Sequence, residues 1–232
     1  MKRPFDWPFI YFAHVGKTGG TSVRHAALKQ FGEENCICLY AEGRAGNTGG
    51  GIEAYQAEMA ESGRAGKAAR AVIRLIRKKR TTFFSTHSNG VFARFLPVEN
   101  TVTFVRDPVE RAISQYNFWK NLGRDVPSFE DYVETADHQN LQSRTLRNID
   151  LNEIAVVGVT DRLGDAINLI NRRFDVDLQT LRSNKTTWRP WKIKRDDLAP
   201  EMISRIEQLN ADDMALYEVG RIRFERDVAA ST

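Results

Sequence analysis

Cysteine is scarce: of 232 residues, only Cys36 and Cys38 carry thiols. One residue apart on a strand, their side chains point to opposite faces and cannot bridge, so no disulfide holds this chain together. With no histidine or further cysteine beside them they offer no zinc ligand set, and two free, buried thiols are expected. Long apolar runs are missing as well; no stretch approaches the roughly 20 residues that a membrane-spanning helix needs. Residues Met1 to Trp7 lack the apolar segment and small-residue cleavage site of a signal peptide, and the expected compartment is the cytoplasm. Nor is one charge in large excess. The 34 Lys and Arg against 30 Asp and Glu leave a net +4, which suits an anionic ligand without naming one. No zinc-finger spacing, RNA-binding aromatic motif or basic zipper is present, so nucleic acid is not expected as a partner.

What is present is the profile of a folded domain, 41% apolar and 28% charged, of a size to form one unit over residues 1–232. Apolar runs at Phe9–Val15, Cys36–Tyr40, Thr81–Thr86, Thr101–Val105 and Ile154–Val159 read as buried strands. Helical spacing separates them: Thr21–Phe31, Ile52–Arg80 with a break near Gly63–Gly66, Pro108–Trp119, Asp161–Phe174 and Pro200–Arg226. Alternating strands and helices predict a three-layer α/β fold, a central parallel sheet flanked by helices in a P-loop-like arrangement. Residues 43–51 hold five glycines in nine positions and read as a mobile loop, either a substrate lid or slack. From Arg64 to Arg80 the chain carries eight Lys and Arg and no acid. A solvated helix face is the plainer account of that run, and attraction of an anionic polysaccharide the sharper one.

In such sheets ligands bind beyond the carboxyl ends of the strands, and three proposed strands end in suggestive chemistry. The first runs into His14-Val15-Gly16-Lys17-Thr18-Gly19-Gly20-Thr21-Ser22. A glycine-rich turn leading into a helix exposes successive backbone N–H groups and the positive end of the helix dipole, a site for phosphate or sulfate. Lys17 adds a full charge, and Thr18, Thr21 and Ser22 add hydroxyls and a helix cap. It is not the Walker A order, because the lysine precedes the glycine pair. An ordinary turn capped by Thr21 explains the glycines but not the lysine. The second strand end is Arg106-Asp107-Pro108, with Ser114 on the helix that follows. A guanidinium grips phosphate with two parallel hydrogen bonds, and a serine hydroxyl completes a cradle. A capped helix with an Arg106–Asp107 surface pair is the plain alternative. The third is His87, after an aromatic strand. Its imidazole has the right affinity to accept a hydroxyl proton near neutral pH, and His14 is its rival.

Lys17-Thr18-Gly19-Gly20-Thr21-Ser22 after a strand resembles the 5′-phosphosulfate loop of the sulfotransferases that use 3′-phosphoadenosine 5′-phosphosulfate (PAPS). The likeness is greatest to the carbohydrate branch that holds the heparan and uronyl 2-O-sulfotransferases and their bacterial relatives. The Arg-x-Pro-x₂-Arg-x₂-Ser run from Arg106 to Ser114 resembles that family's 3′-phosphate site. The resemblance implies that Lys17 contacts the 5′-phosphate and bridging oxygen, with loop contacts from Thr18, Gly19, Gly20, Thr21 and Ser22. It also implies that Arg106 and Ser114 hold the 3′-phosphate, while Arg111 braces its helix. His87 matches a catalytic histidine, although the family's second histidine, two positions earlier, is replaced here by Ser85. Ser183 to Pro190 resembles a late loop over the nucleotide, which brings in Lys185 and Thr186. Asp137 to Arg144 resembles a helix bordering the acceptor cleft, though a solvated face is the plainer account of Gln142 and Arg144. The expected reaction is transfer of a sulfuryl group from PAPS to a hydroxylated acceptor, foremost a glycan, with His87 as base and no metal. A P-loop nucleotide kinase and a non-catalytic glycan- or anion-binding protein are the alternatives.

Overall fold

The computed structural model describes residues 5–40, 47–179 and 191–231. Lys185 and Thr186, and with them the proposed late loop, lie outside the described residues, as do residues 43–46 of the glycine-rich stretch.

The five apolar runs form five strands, β1 (Ile10–Ala13), β2 (Cys36–Leu39), β3 (Phe83–Thr86), β4 (Thr101–Val105) and β5 (Val156–Val159). Every residue in them is buried, as expected of strands covered on both faces. All pair in parallel, in the order β2-β3-β1-β4-β5. Four strands are shorter than the apolar runs suggest, and β3 and β5 each start two residues late. Thr81 and Thr82 precede β3, where the Thr81 carbonyl accepts from Trp7 Nε1 and the Thr82 N–H donates to Asn35 O. Ala155 precedes β5, its N–H shared between Val98 O and Thr101 O.

Parallel pairing requires crossovers, and helices supply them. They are α1 (Gly20–Phe31), α2 (Gly51–Ser62), α3 (Ala65–Lys79), α4 (Asn89–Phe92), α5 (Pro108–Asn121), α6 (Phe129–Glu134), α7 (Leu141–Leu146), α8 (Leu163–Phe174), α9 (Pro200–Leu209) and α10 (Ala211–Ala229). Gly63, at φ 61°, ends α2 and marks the expected break. The end of the glycine-rich stretch is structured: Thr48 forms an antiparallel bridge with Cys38, and Gly51 opens α2. One buried cluster spans the sheet and its helices, with Phe12, Phe83, Phe84 and Phe104 at its centre. A second joins α5, α6 and α9 through Val109, Ile113, Tyr116, Tyr132 and Ile206. None of the described helices is long and apolar enough to cross a membrane.

Cys36 and Cys38 are free and buried, and burial pushes the Cys36 thiol up to about 12. The basic run forms α3, whose buried side holds Val72, Ile73 and Ile76. Most of its cations have local duties. Arg74 pairs with Glu58, Arg80 reaches Asp6 and Trp7, Lys79 donates to Gly49 O, and Arg70 and Arg77 lie over Phe95 and Phe5.

The strand order places the site. β1 is central, and the chain passes from the β3 side of it to the β4 side. That change of direction opens a crevice beyond the carboxyl ends of β1 and β4.

Candidate functional site

β1 delivers the chain into the glycine turn. Thr18 closes the turn from inside: its hydroxyl is fully buried and donates to Val15 O at 2.9 Å. It is therefore part of the turn's frame, and its side chain does not offer the hydroxyl expected of it. α1 then begins at Gly20 behind Gly19, which sits at φ 85° as the N-cap, and no side chain caps the helix. The expectation of a Thr or Ser cap thus fails. A glycine cap leaves the first-turn N–H groups without a side-chain acceptor, the condition under which a helix start takes an anion. Gly20 is required for a different reason. A Cβ there would lie 2.0 Å from His14 Nε2, so the second glycine makes room for the imidazole.

Lys17 is held in a left-handed conformation at φ 72°, a geometry that costs a residue with a side chain. Its Nζ sits 3.9 Å from the centroid of the Phe118 ring on α5. Burial, and then the nearby Arg106 charge, bring its ammonium down to about 8. Arg106 leaves β4 beside it and donates from Nη1 to Lys17 O at 3.3 Å. Its Nη2 pairs with Glu110 at 3.3 Å, while its Nε is buried with no hydrogen-bond partner among the described residues. The Arg106–Asp107 pair of the plain alternative is not formed. Asp107 caps α5 by accepting from the Glu110 N–H and takes a 2.8 Å ion pair from Arg195. Pro108 occupies the first turn, where its missing N–H costs nothing.

His87 follows β3 and lies over the same turn; a Cβ on Gly16 would meet its Cε1 at 3.9 Å. Its ring centroid is 4.3 Å from that of His14 and 4.8 Å from that of Tyr40. The rival histidines are thus neighbours. His14 is buried, and its Nδ1 lies 3.2 Å from Tyr40 Oη, which in turn lies 3.0 Å from Ser85 Oγ. Burial first, then the charges of His87, Arg24 and Lys17, hold the His14 imidazole well below its usual range, so it is neutral at physiological pH. Asn89 fixes the level of both strand ends, donating to His14 O while accepting from Tyr11 Oη.

One cavity of about 2120 Å³ collects these groups. Lys17, Gly19, Gly20, Thr21, Ser22, His14, His87, Arg106 and Ser114 all line it, and Thr18 does not. Ser114 is half-buried on the face of α5 that carries Phe118 into the cavity. The strip Trp191–Arg195 also lines the cavity, tied to α5 where the Asn117 amide exchanges two hydrogen bonds with the Ile193 backbone.

Several neighbours have structural duties that the sequence assigns only in part. Gln142 is fully buried with its amide on the Arg106 backbone, so neither a solvated face nor an acceptor contact describes it. Arg144 is exposed, as the solvated-face account has it, and lines the cavity while its Nη1 donates to the carbonyls of Ala136, Asp137 and Gln139. His138 lies in a short 3-10 turn, not a polar helix. Its ring stacks on Tyr132 at 4.1 Å, and its Nδ1 meets Tyr132 O at 2.8 Å. Arg111 does brace its helix: it is fully buried, donates to His138 O and lies 4.0 Å from Asp213. The residues that sequence reasoning passed over are Tyr40, Asn89, Glu110 and Phe118; Glu110 fills an unspecified position of the Arg106–Ser114 run, and the other three stand in no motif. Among the described residues no group of three or more His, Cys, Asp or Glu is placed to hold a metal ion.

The cavity is therefore a cationic cradle with a two-histidine wall. No protein-family model matches the chain, and no curated protein matches it.

Proposed function

We propose that this protein is a sulfotransferase that takes its sulfuryl group from PAPS and delivers it to a hydroxyl of a glycan. The observation that carries the reading is the meeting of Lys17 and Arg106. They leave adjacent strands 89 positions apart in sequence, touch at 3.3 Å, and line one cavity with an imidazole beside them. A central β1 with a glycine turn at its carboxyl end supports the P-loop-like class of fold.

The residues fit the donor at both ends. The α1 start, with Gly19, Gly20, Thr21 and Ser22, receives the 5′-phosphosulfate, and Lys17 faces the oxygen that becomes the leaving group. Arg106 and Ser114 receive the 3′-phosphate; the Nε of Arg106, without a partner among the described residues, is a donor for it. Bound PAPS supplies an activated sulfuryl group. In the transfer, the acceptor oxygen forms a bond to sulfur as the bond from sulfur to the bridging phosphate oxygen breaks. The electron pair of the broken bond stays on that phosphate oxygen, and the acceptor proton passes to His87. Lys17 stabilises the charge that develops on the departing oxygen. Arg106 and Ser114 convert binding energy at the far phosphate into orientation. His14, neutral and backed by Tyr40, packs against His87 and limits its ring positions.

Calorimetry with adenosine 3′,5′-bisphosphate, set against ATP with magnesium, tests the donor. Preference for ATP with magnesium would transfer the protein to the phosphotransferases. Transfer of radiolabelled sulfate to a panel of glycans then tests catalysis, since a protein that only binds glycans shows none. His87→Ala is expected to bind the bisphosphate normally and to lose turnover; full turnover in this variant removes His87 from the mechanism.

A further inference from the structure

The way Arg106 is held carries a second assignment, which rests on the donor reading above. Gln142, on α7, is fully buried. Its Oε1 accepts from the Arg106 N–H at 2.9 Å, and its Nε2 donates to the Arg106 carbonyl at 2.8 Å. One side-chain amide thus satisfies both backbone groups of the residue that leaves β4, as a neighbouring strand would. The end of a parallel strand has no ladder partner for these groups, and buried backbone polar atoms need one.

Gln142 is fixed in turn. Its own N–H donates to Asp213 Oδ2 at 3.0 Å and the Ser143 N–H donates to Asp213 Oδ1 at 2.7 Å, so a carboxylate from the first turn of α10 caps α7. Asn140 and Asn210 complete the junction. The Asn140 N–H donates to Asn210 Oδ1 at 2.9 Å, and Asn140 Oδ1 accepts from the Asp213 N–H at 3.1 Å. Asp213 is fully buried, and the fully buried guanidinium of Arg111 lies 4.0 Å away as its counter-charge.

We infer that Gln142, anchored by Asp213, is the positioning residue that aims Arg106 at the 3′-phosphate. The clamp fixes the Arg106 backbone; the side chain, held to Glu110 and Lys17 O by contacts of 3.3 Å each, is then free to exchange those contacts for a phosphate. A guanidinium recognises phosphate by direction as well as charge, so loss of the clamp weakens the 3′-phosphate contact and leaves the 5′ end untouched.

The test is Gln142→Met, similar in length and without hydrogen-bonding capacity. Calorimetry compares adenosine 3′,5′-bisphosphate with adenosine 5′-monophosphate in the wild type and the variant. The ratio of the two affinities measures the 3′-phosphate contact alone. It is expected to fall by about tenfold in the variant, the size of a lost hydrogen bond to a charged group, while 5′-monophosphate affinity stays within about twofold. An equal loss for both ligands, or an unchanged ratio, overturns the assignment and leaves the donor reading standing. A wild type with no preference for the bisphosphate sinks the donor reading and this one with it. Should Gln142→Met fail to fold, Gln142→Glu is read in the same way: it keeps an acceptor for the Arg106 N–H but sets an oxygen against the Arg106 carbonyl.

Discussion

Replacing Lys17 by glycine is expected to strengthen the fold while disabling the site. Lys17 is burdened twice. Its backbone sits at φ 72°, a left-handed geometry that costs a residue with a side chain about 1–2 kcal/mol; glycine escapes this but loses about 0.5–1 kcal/mol through its freer unfolded chain. Its ammonium is brought from 10.5 to about 8 by burial and by Arg106, which at about 1.4 kcal/mol per unit is a folded-state penalty of about 3 kcal/mol. Against this stands the contact with the Phe118 ring at 3.9 Å, worth about 0.5–1 kcal/mol. The sum favours Lys17→Gly by about 2–4 kcal/mol at pH 7. The sign with pH follows from linkage. Between about 8 and 10.5 the unfolded chain binds the proton that the folded chain has released, so wild-type stability rises across that window relative to the variant. The advantage of the variant is therefore complete below about 8 and shrinks to the backbone part, about 0–1.5 kcal/mol, once pH passes the ordinary lysine value. Urea unfolding at pH 7 and pH 10 measures both, and calorimetry is expected to show the variant binding adenosine 3′,5′-bisphosphate about tenfold to a hundredfold more weakly. A variant less stable than wild type at pH 7, or one with the same advantage at both pH values, would refute the account of Lys17.

Three further outcomes are expected. Gly20→Ala places a Cβ 2.0 Å from His14 Nε2, so the imidazole must move. Urea unfolding should show a loss of about 1–3 kcal/mol, partly recovered in the double variant Gly20→Ala/His14→Ala; purely additive losses would deny the contact. Asp213→Ala strands two N–H groups and the buried Arg111 charge and should cost more than about 3 kcal/mol, whereas a loss under 1 would show that water replaces the carboxylate. Both thiols are buried, and burial raises each, so a disulfide reagent at neutral pH should label Cys36 and Cys38 only as fast as the protein unfolds; rapid labelling of the folded protein would place a thiol at the surface.

The parallel sheet was legible because its signal is local. Runs such as Phe9–Val15 and Thr101–Val105 are mostly apolar, and the strands they form are buried at every position, as strands covered on both faces require. The glycine turn and the Arg106-Asp107-Pro108 strand end were legible for the same reason, since each needs a handful of consecutive residues. Gln142 was not. A glutamine among polar neighbours reads as solvent-facing, and its anchor, Asp213, lies 71 positions further on. Thr18 shows the converse: the motif suggests a hydroxyl for the ligand, but the tightness of the turn draws that hydroxyl onto Val15 O.

The histidine wall shows how strand register makes a site that no single segment announces. Ala13 pairs with Thr86, and Thr86 pairs with Leu39, so the residues next in sequence, His14, His87 and Tyr40, leave three adjacent strands at one level. Parallel strands in register deliver equivalent positions to the same edge, which is why segments far apart in the chain meet there. The same geometry accounts for Ser85. It stands one row below His87's neighbour in the sheet, opposite Phe12 and Cys38, too deep to face the cavity. From there its hydroxyl meets Tyr40 Oη, and Tyr40 Oη meets His14 Nδ1. The two imidazoles thus come from adjacent strands, His87 from β3 and His14 from β1, and position 85 supports the second through Tyr40. The pairing of the two rings depends on the level of β1 against β3. A one-residue slip of that register would turn His14 to the opposite face and leave His87 alone above the turn.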